Sequence, residues 1–262
     1  MEIILTAMFF VLGLIIGSFL NVVILRYNTQ KDLGGRSACM SCAQKLQWYE
    51  LVPLFSYLGL MGRCKTCKTK ISIQYPLVEC LTGLLFVFLF SKFATLIFAD
   101  NLFFAISFGY YAIIFSVLIV IAVYDLKHKI IPDLLVFIFG ILAFIGLFLF
   151  TDNIFAPHWP TLLELLSGVI LALPFAFLWI VSSGRWMGFG DAKLAIGMGY
   201  LVGLSGGISA FFIASIIGAI VGILLILQSR KYGMKTEIPF APFLVLGTFL
   251  VFLLGFNLLI LY

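Results

Sequence analysis

Long apolar runs broken by short polar segments set the pattern of this chain. About 20 apolar residues in a helix cross a bilayer core, and runs of that order fall at 3–25, 77–98, 102–124, 130–150, 162–181, 192–227 and 240–262. The 192–227 run is too long for one crossing, and Leu204-Ser205-Gly206-Gly207 supplies a turn signal near its middle. Dividing it there predicts eight membrane helices, the sixth short and rich in glycine (Gly197, Gly199, Gly203). The first run lacks a basic n-region and exceeds a signal-peptide h-region, so it is expected to remain as a span.

The polar interruptions give the orientation. Lys and Arg fall in loops 26–76, 125–129, 182–193 and 228–239, and these loops alternate with three that carry neither residue. Eight spans therefore put 15 of the 16 basic residues on one side, leaving only Lys92 within a span. Seven spans would break the alternation. By the positive-inside rule the basic loops are cytoplasmic and both termini lie outside.

Composition agrees with this reading. The chain has 262 residues, of which 63% are hydrophobic and 10% charged, against about 25% charged in soluble domains. The net charge of +5 is topological, and no basic patch interleaved with exposed aromatics suggests nucleic acid. The predicted fold is an all-α polytopic membrane protein in three parts: a first helix (1–26), a loop domain (27–76) and a seven-helix core (77–262).

The loop holds Cys39-Met40-Ser41-Cys42 and Cys64-Lys65-Thr66-Cys67. Each CxxC presents two thiolates to one ion, and two of them complete a tetrahedral Cys₄ site that stabilises a segment too small to bury a core. Cys39, Cys42, Cys64 and Cys67 are thus candidate ligands of structural Zn²⁺. A pair of disulfides or a redox CxxC are the alternatives, and a cytoplasmic loop disfavours the disulfides. Cys80 lies within a span and reads as a small buried residue.

Among the acidic residues, Glu2, Asp100, Asp152 and Glu164 fall at the outer side, and Asp32, Glu50 and Glu237 read as surface groups. Glu79 sits near the inner end of the second span, placed to snorkel or to pair with a basic loop residue. Asp125 and Asp191 are different. They are far apart in sequence, yet eight spans bring both to the cytoplasmic boundary, where carboxylates facing a bundle interior suggest function. Two close carboxylates do not both ionise easily. One then deprotonates a water while the other hydrogen-bonds a scissile carbonyl, which hydrolyses an amide without a covalent intermediate. Gly188 and Gly190, just before Asp191, offer backbone freedom and close approach to an extended substrate. Two unrelated helix-capping aspartates are the plainer alternative. His128 and His158 fall on opposite sides, and no serine sits in a nucleophile elbow.

The ensemble of motifs resembles the bacterial type IV prepilin leader peptidases, a family of membrane aspartic proteases. It runs from Gly17-Ser18-Phe19-Leu20-Asn21 through both CxxC pairs, Leu46-Gln47-Trp48-Tyr49-Glu50 and Tyr75-Pro76-Leu77-Val78-Glu79. It continues through Asp125 with Ile131-Pro132-Asp133, Gly188-Phe189-Gly190-Asp191-Ala192-Lys193, and Ile238-Pro239-Phe240-Ala241-Pro242. Met40 and Ala241 depart from a common proline and a common glycine. The resemblance implies cleavage of the basic leader of type IV prepilins or pseudopilins at the cytoplasmic face of the inner membrane. N-methylation of the new terminus by S-adenosylmethionine would follow. Asp125 and Asp191 would be catalytic, with Gly188, Gly190 and Lys193 in support. The partners implied are prepilin and membrane lipid, without nucleic acid. Two rivals from other classes are a proton- or cation-coupled transporter, which wants acids at mid-span and repeated halves, and a membrane-anchored zinc adaptor, which would tolerate loss of both aspartates.

Overall fold

Helices occupy the apolar runs in the computed structural model, which describes residues 2–29, 34–228, 238–256 and 258. Five helices are long and apolar enough to cross a membrane: α1 (Glu2–Arg26), α3 (Gln74–Ala99), α4 (Asn101–His128), α6 (Leu162–Ser182) and α7 (Phe189–Gln228). Helices α5 (Asp133–Leu149) and α8 (Ala241–Leu254) are apolar but shorter, at 17 and 14 residues. A short α2 (Phe55–Gly59) lies in the polar loop. Lys31, Asp32, Arg230, Lys231, Lys235, Glu237 and the last residues of the eighth run lie outside the described residues.

By contacts the chain divides into two compact units, Met1–Ala99 and Asp100–Tyr262. In the first, α1 packs on α3 through glycines. A Cβ on Gly13 would come within 2.7 Å of the Gly83 Cα, and one on Gly17 within 2.7 Å of the Glu79 Cα. This is the small-xxx-small device by which membrane helices approach backbone to backbone. Asn21, one turn further along α1, is buried and donates to the Tyr75 carbonyl at 3.0 Å. Glu79 is buried rather than snorkelling and meets no basic residue among the described residues. It accepts the Leu54 amide at 2.9 Å and also takes the Ser18 hydroxyl. Leu54 adopts a left-handed φ of 58°, and the amide of that turn needs an acceptor once it is shielded from water.

The second unit is an up-and-down bundle. Tyr110 on α4 donates to the Leu142 carbonyl on α5, so these two helices form an antiparallel pair. A two-stranded ribbon follows α5, pairing Phe150 with Phe155 and Thr151 with Ile154. The sequence reading had no strand there. Both strands are two residues long, and their aromatic residues merge with the apolar pattern of α5.

Helix α7 is interrupted at Gly203, whose φ of 71° and ψ of 173° belong to a region only glycine occupies freely. Before it, the chain runs antiparallel to α6: the Trp179 and Phe189 rings meet at 4.8 Å, and Ser167 donates to the Gly199 carbonyl at 2.9 Å. Beyond it, Gly207 faces Leu171 and the Phe211 ring meets Phe175 at 5.1 Å, so the direction has reversed. The turn thus falls one residue before the predicted Leu204–Gly207 signal, and the split into two helical arms holds. Helix α8 then returns antiparallel, with Gly247 against the Ala210 carbonyl and Val251 beside Gly206.

The α6–α7 seam is close enough to be tested. A Cβ at Gly199 would sit 2.6 Å from the Gly168 Cα and 2.7 Å from the Ser167 carbonyl oxygen, both backbone atoms that cannot swing aside. Gly199→Ala is expected to cost about 1–3 kcal/mol and to lower the thermal midpoint in detergent. Gly109→Ala, in helix α4 with open space around it, should be neutral or slightly stabilising.

Candidate active site and cysteine cluster

The alternating directions of the second unit collect chosen ends of its helices in one place. The C-terminus of α4 brings Asp125, the N-terminus of α7 brings Asp191, and the N-terminus of α8 brings Ala241. Asp125 and Asp191 are 5% and 6% exposed, low values for residues that are almost never buried unless partnered. The Asp125 carboxylate accepts the Ala241 backbone amide, at the positive end of α8. The Asp191 carboxylate takes the Gly188 amide, but its Oδ1 is buried with no hydrogen-bond partner among the described residues. The two carboxylates are near enough to interact electrostatically. The Ala241 amide is a contributor that spacing and charge did not reveal, because a backbone donor leaves no mark in side-chain chemistry.

Gly188 and Gly190 do not use glycine's left-handed freedom, since neither has a positive φ. Gly190 is required by packing: a Cβ there would lie 2.8 Å from the Ile131 Cβ. Ile131 belongs to the connection between α4 and α5, so the missing side chain lets that connection rest on the first turn of α7 beside Asp191. Around Gly188 only the Asp191 Oδ2 and the Gly190 nitrogen come within 4 Å of such a carbon, at 3.8 and 3.9 Å.

Lys193 follows Asp191 by two positions, about 200° around the helix, and so turns away from the carboxylates. Its Nζ pairs with Asp133 Oδ1 at 2.8 Å and lies 5.3 Å from the Phe189 ring centroid. The pair ties the start of α5 to the first turn of α7. Asp133 was not singled out in the sequence, because the partner that gives it a role is 60 residues away. Asp133 is largely and Lys193 partly solvent-accessible, so the pair contributes little stability and acts mainly on position.

In the first unit the two CxxC segments have the same backbone design. Ala38 bridges Lys45 around the first, and Arg63 bridges Lys70 around the second. The Cys39 amide donates to the Gln44 carbonyl and the Cys64 amide to the Thr69 carbonyl, each at 2.9 Å. The residue after each second cysteine, Ala43 or Lys68, takes a left-handed φ of 55° or 58°. This folds both segments into matching knuckles and brings all four Sγ atoms within 4.8 Å of one another as free thiols. The knuckle amides of Cys42 and Ser41 pull the Cys39 thiol below its usual range. The Thr69 hydroxyl and amide pull Cys67 down to about 6. The Gln44 amide pulls on Cys42 too, yet burial and the surrounding sulfurs push it up to about 11. Four sulfurs so close cannot all carry charge without a cation among them, and a metal ion supplies one.

Comparison with known proteins adds the following. Residues 11–93 match the bacterial peptidase A24 N-terminal domain, and residues 112–223 match the type IV leader peptidase family. The chain is 33% identical to the prepilin leader peptidase/N-methyltransferase of Xanthomonas campestris, over 93% of this chain and 89% of that protein. It is 32% identical to the protein of the same name from Bacillus subtilis, over 94% and 93%. With the type 4 prepilin-like proteins leader peptide-processing enzyme of Escherichia coli it shares 34% identity, over 90% and 88%. No solved structure matches the chain.

The packing of Gly190 on Ile131 yields a two-site test. Gly190→Val should destabilise the protein by about 1–3 kcal/mol through overpacking. Ile131→Ala in the same chain should recover a large part of that loss in thermal unfolding, because it removes the atoms the new side chain meets. Additive losses would show that the two positions do not pack together.

Proposed function

The chain belongs to the type IV leader peptidase family, and from that premise we propose that Asp125 and Asp191 are the catalytic pair of a multi-pass inner-membrane aspartic endopeptidase that removes prepilin leaders and N-methylates the new terminus. The observation that carries the assignment is the buried Asp191 Oδ1 without a partner, on a carboxylate that interacts with Asp125. A buried polar atom left unpaired calls for an explanation, and a substrate group or a reacting water provides one.

The surroundings of the two carboxylates support distinct roles for them. Each carboxylate accepts one backbone amide at a helix start, Ala241 on Asp125 and Gly188 on Asp191, but Asp191 also keeps a buried oxygen without a donor, so Asp125 is read as the ionised base. Asp191, with an oxygen lacking any donor, holds the proton. Asp125 removes a proton from water as the water oxygen attacks the scissile carbonyl carbon, and Asp191 hydrogen-bonds the carbonyl oxygen as it gains charge. The proton then passes to the leaving nitrogen and the C–N bond breaks. Lys193 and Asp133 are positioning residues, joining α5 to the turn that bears Asp191.

Charge within the second unit supports a cytoplasmic site. Lys127, Lys129, Arg185 and Lys193 share the end that bears the aspartates, while Asp100, Asp152 and Glu164 lie near the other helix ends. The positive-inside rule assigns the basic end to the cytoplasm, and the N-terminus outside would follow. Matched knuckles and four clustered cysteine sulfurs favour zinc as the metal. The methyl group comes from S-adenosylmethionine.

Asp125→Asn and Asp191→Asn should each reduce cleavage of a purified prepilin in detergent or lipid by about 10³-fold or more, without change in the thermal midpoint comparable to unfolding. Normal cleavage by either variant rules out the dyad. Metal analysis of the purified protein should find about one zinc per chain, and the double replacement Cys39→Ser with Cys64→Ser should abolish it.

A further inference from the structure

The segment that joins α1 to α3 is basic overall, yet residues 51–61 within it carry no charge at all. Phe55, Leu58 and Met61 in that stretch are 71%, 70% and 87% exposed, an unusual amount of large apolar surface to leave in water. Phe55 and Leu58 stand three residues apart on α2 and share one side of that turn. The basic residues follow at once, as Arg63, Lys65, Lys68 and Lys70. Arg63, Lys65 and Lys68 line an open hollow of about 450 Å³ together with Gly59, Leu60 and Met61, so the apolar stretch and the cations meet at Met61.

The depth of this segment follows from what it touches. Residues 48–53 form a groove of about 430 Å³ with Ile15, Ser18, Phe19 and Val22 of α1, and the Leu54 amide is held by Glu79, in the second turn of α3. Ser18 precedes the last residue of α1, Arg26, by eight positions, which is about 12 Å along the helix axis. With 25 residues, α1 is about 37 Å long and exceeds a hydrocarbon core of about 30 Å by about 7 Å. Were all of that excess at the Arg26 end, Ser18 would still lie about 5 Å inside the core. Ile15 and Phe19 beside it are half exposed, as lipid-facing side chains are. Residues 48–53 therefore lie against a part of α1 that the bilayer surrounds, with an exposed Trp48 among them, a residue enriched at membrane interfaces.

We propose that the face carrying Phe55, Leu58 and Met61 is immersed in the leaflet around the C-terminal end of α1, with Arg63, Lys65 and Lys68 against its anionic headgroups. This goes beyond the proposed catalysis and needs neither aspartate. Interfacial elements of this kind sit about 5–10 Å into the headgroup and acyl boundary, which matches the level that α1 sets for residues 48–53. Immersion removes the three apolar side chains from water, and the cations that follow them stay at the level of the phosphates. Glu50, the one acid among the described residues of the segment, accepts the Gln47 amide at 2.8 Å, and leaves the cluster strongly positive. A second copy of this chain on the same face would bring the same cations together, which is repulsive; an anionic bilayer surface is attractive.

The test places a photoreactive side chain on the face and identifies what it captures. Phe55→p-benzoylphenylalanine, Leu58→p-benzoylphenylalanine and Met61→p-benzoylphenylalanine are made separately in the full-length protein, in nanodiscs of phosphatidylglycerol and phosphatidylcholine, with metal content and the thermal midpoint as checks of folding. Mass spectrometry after illumination should find lipid adducts as the main product at all three positions. Adding Arg63→Gln and Lys68→Gln should lower the ratio of phosphatidylglycerol to phosphatidylcholine adducts about fivefold; Lys65 is kept because its Nζ donates to the Tyr49 hydroxyl at 3.0 Å. An unchanged ratio would overturn the headgroup contact. Adducts mainly within the chain would show the face covered by protein, and adducts between chains would show a contact between copies. Illumination without capture would show the face in water. Any of these three results overturns the immersion.

Discussion

Taking a carboxylate out of water is costly unless its charge and its lone pairs are met. In the second unit that cost is incurred twice within one small region, at Asp125 and Asp191. Much of the surrounding architecture makes the arrangement possible. Helix α8 must start where its first amide reaches Asp125. The connection after α4 must lie flat on the first turn of α7, which Gly190 permits and a larger residue would prevent. Helix α7 must turn back at Gly203, so that its C-terminal arm returns toward the same end and lets α8 begin there. Each device is modest alone, and together they place two acids where neither could be stably kept by chance. The unpartnered Asp191 oxygen is what remains uncompensated, as expected where stability has been exchanged for reactivity.

The first unit solves a different problem with different means. Its polar segment is too short to bury an adequate core, and its stability has two sources. One is the cysteine cluster, in which paired knuckles repeat one backbone plan and hold four thiols within the reach of one ion. The other is Glu79, which receives the Leu54 amide from the polar segment while its own helix packs tightly on α1. The carboxylate therefore fastens the segment to the helix pair.

Features with a local physical signature were legible in the sequence. Apolar run length gave the helices, and cysteine spacing gave the four-thiol cluster. A Ser-Gly-Gly turn signal gave the break in the long run, displaced by one residue because the unusual backbone angle belongs to Gly203 itself. The basic loops brought Asp125 and Asp191 to one boundary before any contact was known. What stayed hidden depended on pairs distant in sequence or on backbone groups. Asp133 acquires meaning only through Lys193, and the Ala241 amide only through Asp125. Glu79 looked like a boundary charge seeking a basic partner, and a strained backbone turn took that place.

The glycines show how the same residue can be read correctly in position and differently in cause. Gly188 and Gly190 were expected to lend backbone freedom for a substrate's approach, yet neither uses a left-handed conformation. Gly190 instead removes a side chain so that Ile131 can close over the first turn of α7. This makes the approach internal: one part of the enzyme comes close to another, and Asp191 is held by that closure. Lys193, three residues beyond Gly190 and so on a neighbouring face of the helix, reaches Asp133 at the start of α5. Packing at Gly190 and charge at Lys193 thus join the turn to one neighbouring segment, 131–133, while the Asp191 Oδ1 stays buried without a hydrogen-bond partner among the described residues. The anchoring residues and the carboxylate fall within six residues, 188–193, and the catalytic role proposed for Asp191 would use that combination of a held turn and an unmet hydrogen bond.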